Sequence, residues 1–345
     1  EADLRNVAYR QGKSVIFPAA PGEPYFDWSF ASLDAASLDD AKVAFGELFV
    51  PGGMSFLSVG PQPVAEVAAS LDKAFGDWSD DADAMVPVGR MPAQFPGQRR
   101  IVLVTEPGAS QTAIMVARAI PGFEEAGDAE AEAVLRLLGK DFTGRLNSVI
   151  REEKGISYGV YGHVLSGQPR GSAMIIETTV QRDDTGTAVT EIFNGFDSLV
   201  KRPVEQEELD RTVHTYRRAM ASVAETSGEL FGTLISLEGD GRTFDSMFSR
   251  METVAGLTLD PVMKKAAELA PLDQALMVLV GDPDAVLPQL QAIGLTDVVL
   301  VEGEATRASA LSGEAVDYVP GPRSRSTSSL HECVESSCGG SDSGY

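Results

Sequence analysis

Hydrolysis needs a nucleophile, a base or a metal, and the histidines that could serve are few: His163, His214 and His331. No two of them lie within a helical turn of each other. The H-E-x-x-H and H-x-x-E-H patterns, which set two imidazoles on one helix face around zinc, are therefore absent. No G-x-S-x-G elbow presents a serine, and Gly52-Gly53 lacks the lysine and spacing of a phosphate loop. His163 falls in a strand-like stretch, where an ordinary polar strand position is the plain reading, and His214 reads as a helix surface or edge residue. The only cysteines, Cys333 and Cys338, lie in a Ser/Gly-rich stretch. Neither can ligate zinc alone, and a local disulfide between them would need an oxidising compartment.

What remains is Arg151 and Tyr158, joined by Glu152-Glu153-Lys154-Gly155-Ile156-Ser157. A turn at Gly155 can bring a guanidinium from a helix end and a phenol from a strand start toward one point. Together they offer fixed donors to a peptide carbonyl or carboxylate. Spacing alone also fits a plainer account, which it favours: an arginine balancing a helix C-terminus and an amphipathic tyrosine capping a hairpin.

The elements that must position this pair are legible in outline. From Asp128, apolar residues at Val134, Leu138, Phe142, Leu146 and Ile150 put one face of a long helix into a core. Gly139 and Gly144 inside it cost helix stability, which suggests close packing there. Before it, Arg100–Val104 and Ala113–Arg118 read as strands; after Gly155, Ile156–Leu165 and Ala173–Val180 alternate as a hairpin. Two helices follow, one on Val189, Ile192, Phe193, Phe196 and Leu199, the other on Leu209, Val213, Tyr216, Met220 and Val223. This order predicts an α+β fold, with helices packed on a mixed or antiparallel sheet.

The chain also repeats itself. Leu33–Gly60 aligns with Val254–Gly281 at one constant spacing, pairing Leu38 with Leu259, Asp39 with Asp260, Leu48 with Leu269 and Gly60 with Gly281. Each copy reads as an Asp N-cap, a helix, and an apolar strand ending at glycine: Met54–Val59 in one, Ala275–Val280 in the other. Four segments result: 1–78, the later part of a first α+β unit; 79–98, a linker; 99–303, a complete second unit; and 304–345, a flexible low-complexity tail.

The chain has 345 residues, is 43% hydrophobic and carries a formal charge of −23. That charge repels phosphate backbones and anionic lipid and welcomes basic peptides. No window is long and apolar enough for a membrane span. Glu1-Ala2-Asp3 has neither a basic start nor a Met, so something removed upstream is expected.

The segment R-L-N-x-x-I-R-E-E-K-G-x-S-Y-G-V, Arg145 to Val160, resembles the signature of the second half of the pitrilysin/insulinase-type zinc metallopeptidases, the family of insulin-degrading enzyme, mitochondrial processing peptidase and two-chain bacterial relatives. The strand ends at Gly60 and Gly281, Phe75-Gly76-Asp77-Trp78, and Glu225-Thr226-Ser227 are similar to family features, so the likeness runs from about Pro24 to Val301. Pro61, where the second repeat has Asp282, departs from it. The resemblance implies a clam-shell of two halves, with zinc and general base on the other half and Arg151 and Tyr158 contacting substrate peptide here. Zinc would then belong to the assembled enzyme and not to this chain. The partner would be a zinc-bearing half, in the same polypeptide or a separate chain, and the bacterial periplasm or cell exterior is favoured over the cytoplasm. A non-catalytic scaffold subunit of the same fold and a stand-alone peptide-binding module are the alternatives.

Overall fold

The computed structural model describes residues 3–16, 35–50, 54–78, 95–120, 129–166, 172–239 and 242–303. Most of the expected linker, the tail after residue 303, both cysteines and His331 lie outside the described residues. All the described residues belong to one unit, Glu1–Gly303.

Six strands form one mixed sheet: β1 (Arg100–Thr105), β2 (Gln111–Ile120), β3 (Ser157–Ser166), β4 (Ser172–Gln181), β5 (Leu276–Gly281) and β6 (Val298–Glu302), in the order β3-β4-β2-β5-β1-β6. β1 runs parallel to β5, with Arg100 opposite Leu276, and parallel to β6, with Ile101 opposite Val298. β2 is antiparallel to both β4 and β5, and β3 closes one end as the antiparallel hairpin partner of β4. Every residue of β5 is buried, which is why Leu276–Val280 can be an unbroken apolar run.

Helices cover both faces. On one lie α4 (Ala129–Leu135) with its continuation, α5 (Thr185–Lys201), α9 (Leu259–Leu269) and α10 (Pro283–Ala292), burying Val134, Leu138, Ile150, Ile192, Phe196, Val262, Leu269 and Leu290 with Ile114, Ile176 and Leu279 of the sheet. On the other lies α1 (Leu4–Ile16), whose Ala8 and Ile16 join Met115, Ile175 and Val278. Gly12 lets α1 sit this close, since a Cβ there would meet Met115 Sδ at 2.9 Å. Helices α6 (Gln206–Ser222), α7 (Ser227–Gly239) and α8 (Phe244–Ala255) complete this part.

The long helix is broken. α4 continues as a π-helical turn, Arg136–Lys140, stops at Asp141–Gly144, and resumes to a second π-helical turn, Asn147–Glu153. Val134, Leu138, Leu146 and Ile150 are buried on the expected face, but Phe142 stands in the break and is 62% exposed. Both glycines are tightly packed: a Cβ on Gly139 would meet Val160 Cγ1 at 3.2 Å, and one on Gly144 would meet the Asp141 carbonyl oxygen at 2.9 Å.

The repeat is visible in α2 (Leu38–Leu48) and α9 (Leu259–Leu269), which begin and end at matched positions. The expected Asp caps do not hold. Ser37 and Thr258 occupy the N-caps and Asp39 and Asp260 stand in the first turn, because Ser37 closes a capping box with Asp40 while the acids favour the positive helix end. Met54–Val59 is likewise not a strand. Its counterpart is one because β1 and β2 flank it, whereas no described strand pairs with Met54–Val59. With α3 (Val64–Phe75), this region leaves Leu38, Val43, Phe45, Phe56, Val64 and Phe75 exposed.

Candidate functional site

The motif segment is fixed from beneath. Arg145 is buried and bidentate to Glu208, with Nε to Oε1 and Nη2 to Oε2 both at 2.7 Å, while Nη1 donates to the Ser198 and Arg202 carbonyl oxygens at 2.7 and 3.0 Å. Burial alone would raise the Glu208 carboxyl, but the Arg145 hydrogen bond and charge hold it below its ordinary value. Next to it, Leu146 lies against Gly195 of α5, where a Cβ would meet Leu146 Cγ at 3.0 Å.

Asn147 follows, buried to 1% exposure. Its Nδ2 donates to the carbonyl oxygens of Gly139, Asp141 and Val160 at 3.3, 3.2 and 2.9 Å, and its Oδ1 accepts from the Val160 N–H at 2.8 Å. One carboxamide thus binds the broken helix to strand β3. Sequence reasoning assigned Asn147 no role. Its signal is a polar, poor helix former set between the buried Leu146 and Ile150.

One turn later comes Arg151. Its Nη1 pairs with the neighbouring Glu152 carboxylate, and its Cζ lies 3.8 Å from the centroid of the Phe142 ring. Among the described residues no hydrogen bond engages its Nε or Nη2. Gly155, at φ +65°, then turns the chain in the left-handed conformation that suits glycine, and Lys154 is held to Glu191 at 3.2 Å.

Tyr158 is placed by an irregularity in the ladder. Ser157 pairs with Val180 and Val160 with Thr178, so two residues, Tyr158 and Gly159, oppose the single Thr179 in a β-bulge. The bulge is pinned by Ser157, whose hydroxyl lies within hydrogen-bond range of the Thr178 hydroxyl, at 2.8 Å, and of the Thr179 and Gly159 carbonyl oxygens. Tyr158 is 90% exposed. No hydrogen bond or cation–π contact joins it to Arg151; the two stand on consecutive elements with donors to spare.

The other expected candidates lie elsewhere. His163 is on β3, its ring 5.8 Å from that of Tyr9 on α1. Burial pushes its imidazole below the usual value, while Glu177 opposes the shift and Lys140 adds to it. His214 is on α6. Among the described residues no group of three or more His, Cys, Asp or Glu could hold a metal ion, and these two histidines, on separate elements, do not fit zinc.

The mixed sheet in this order, the helices on its two faces and the anchored R-L-N-x-x-I-R segment define an α+β module of the peptidase-half type. The chain belongs to the peptidase M16 inactive domain family, whose model matches residues 35–216. No curated protein matches it. Among solved structures it is similar to the peptidase M16 inactive domain from Pseudomonas fluorescens (19% identity, TM-score 0.63), covering 81% of this chain and 66% of that one. It is also similar to a protease from Helicobacter pylori (16%, 0.67, covering 80% and 70%) and to the periplasmic protease PqqL from Escherichia coli (14%, 0.57, covering 81% and 32%). At these identities the likeness is one of fold. The chain spans about two thirds of the length of the first two structures and about a third of PqqL.

Proposed function

We propose that this chain is the peptide-holding half of a zinc-dependent endopeptidase of the pitrilysin/insulinase type, with zinc and general base supplied by a zinc-bearing half, covalently linked or separate. The observation that carries this reading is an anchored segment that presents a half-buried arginine beside an exposed tyrosine. Arg145 and Asn147 fix the segment, while Arg151 keeps free donors and Tyr158 projects from a bulge into solvent. A carbonyl or carboxylate of an extended peptide is the acceptor those donors suit. Zinc on the other half would activate the attacking water, while this half orients the peptide.

In this reading residues 1–78 are the end of a first unit, from which α1 packs onto the sheet of the second, 79–98 are a linker, 99–303 the second unit and 304–345 a tail. The charge of −23 favours basic peptides. Likeness to a protease described as periplasmic supports a periplasmic or exterior location. No helix among the described residues is long and apolar enough to cross a membrane.

The test is Arg151→Ala and Tyr158→Phe in the enzyme assembled with its zinc half. Loss of a hydrogen bond to a charged group, about 1.5–3 kcal/mol, lowers peptide turnover about ten- to a hundredfold for Arg151→Ala, with the melting temperature unchanged. Unchanged turnover in both variants removes the role. Metal analysis of this chain alone should find no stoichiometric zinc; a tight equivalent overturns the division of labour.

A further inference from the structure

Phe142 is the second residue of a turn, Asp141–Gly144, closed by the Gly144 N–H to the Asp141 carbonyl oxygen at 2.8 Å. Turn corners favour proline, glycine and small polar residues, and a phenyl ring 62% exposed contributes little to the core. The turn beneath it is nevertheless held from three sides. Asp141 Oδ1 accepts from Arg136 Nη1 at 2.6 Å, and Arg136 is itself buried and bonded through Nε to Glu132 Oε1 at 2.8 Å. The Asp141 carbonyl oxygen accepts from Asn147 Nδ2 at 3.2 Å. Gly144 has backbone on every side of its missing Cβ, within 3.1 Å. A rigid mount therefore carries an exposed aromatic ring, and what that ring faces is the guanidinium of Arg151, at 3.8 Å.

We infer that Phe142 is a positioning residue: its ring fixes the plane of the Arg151 guanidinium, leaving Nε and Nη2 for a bound peptide while Glu152 takes Nη1. This rests on the peptide-holding role proposed for Arg151. A free arginine side chain must give up rotamer freedom on binding, and a guanidinium already stacked on a ring has given up part of it beforehand. The competing account is that the arginine stem merely covers an apolar ring, in which case any apolar side chain serves equally.

Fluorescence anisotropy of a fluorescein-labelled, unstructured basic peptide with a free C-terminal carboxylate, titrated with the full chain assembled with its zinc half and stripped of metal by chelation so that the peptide is not cut, separates the two. Phe142→Leu keeps an apolar side chain but removes the π face, and should weaken binding about two- to fivefold with an unchanged melting temperature. Phe142→Trp should bind as wild type, and adding Phe142→Leu to Arg151→Ala should cost nothing more. If Phe142→Leu binds as wild type while Arg151→Ala is weakened, the positioning role is overturned and the peptide site stands. If Phe142→Leu weakens binding equally in both backgrounds, the ring acts apart from Arg151 and the inference is wrong. If the wild-type chain does not bind, or Arg151→Ala binds as well as wild type, the peptide-holding role falls and this inference falls with it.

Discussion

The Asn147 carboxamide holds both backbone groups of Val160, donating to its carbonyl oxygen at 2.9 Å and accepting from its N–H at 2.8 Å. A neighbouring strand would make the same two bonds. Asn147 thereby ends the open edge of β3 at the bulge, and its remaining contacts, to Gly139 and Asp141, carry the same constraint into the helix break. One side chain that bonds to neither thus ties together the elements that carry Arg151 and Tyr158.

Asn147→Ala should therefore be costly. It leaves the Val160 amide and carbonyl without that partner in a buried site, at about 1–3 kcal/mol for each unpaired group. We expect a loss of about 2–4 kcal/mol in urea unfolding, against under about 0.5 kcal/mol for Arg151→Ala, whose partly exposed side chain bonds, among the described residues, only to the exposed Glu152. Equal stability of the two variants would show that the carboxamide bridge is dispensable.

A second prediction concerns pH. Burial alone would raise the Glu132 carboxyl, but Lys140, Arg136 and Arg250 outweigh it and hold the group below the usual glutamate value. A lowered folded-state value means stability that is present above the unfolded value, about 4.3, and lost as pH falls through the folded one. Glu132→Gln should cost about 3 kcal/mol at pH 7, because it strands buried cations, and the gap to wild type should close on acidification. Urea midpoints taken from pH 7 downward give the comparison; a gap that stays constant or widens contradicts it.

Third, the apolar residues of α2, α3 and Met54–Val59 should make the chain self-associate when purified alone. Phe45→Ser combined with Phe56→Ser should lower the weight-average mass in sedimentation at a given concentration and leave thermal unfolding unchanged. A monomeric wild type, or a drop in stability of the double variant, would count against the exposed face.

Much of this arrangement could be read from the residues. Alternation announced β3 and β4, and the four-residue spacing of Val134, Leu138, Leu146 and Ile150 named the buried face, since in both cases burial depends on local period. Phe142 followed the same period and did not obey it, because the break is made by Asp141 binding Arg136 and by the absence of a Cβ at Gly144. Those are interactions no period encodes. Ala275–Val280 and Met54–Val59 show the same limit, as matched sequences form a strand only where neighbouring strands supply partners. The motif named Arg151 and Tyr158 together; the bulge and Asn147, which decide how they are held, depend on β4 and on the turn before Asn147.

The bulge at Ser157 to Val160 makes the presentation of Tyr158 a matter of counting. Side chains in a strand alternate, and the extra residue sets both Tyr158 and Gly159 opposite Thr179, where a regular ladder would place one. A single-residue deletion at Gly159 would keep every chemical group of the site and remove its geometry. Within this segment the number of residues governs how the pair is presented as much as their type does.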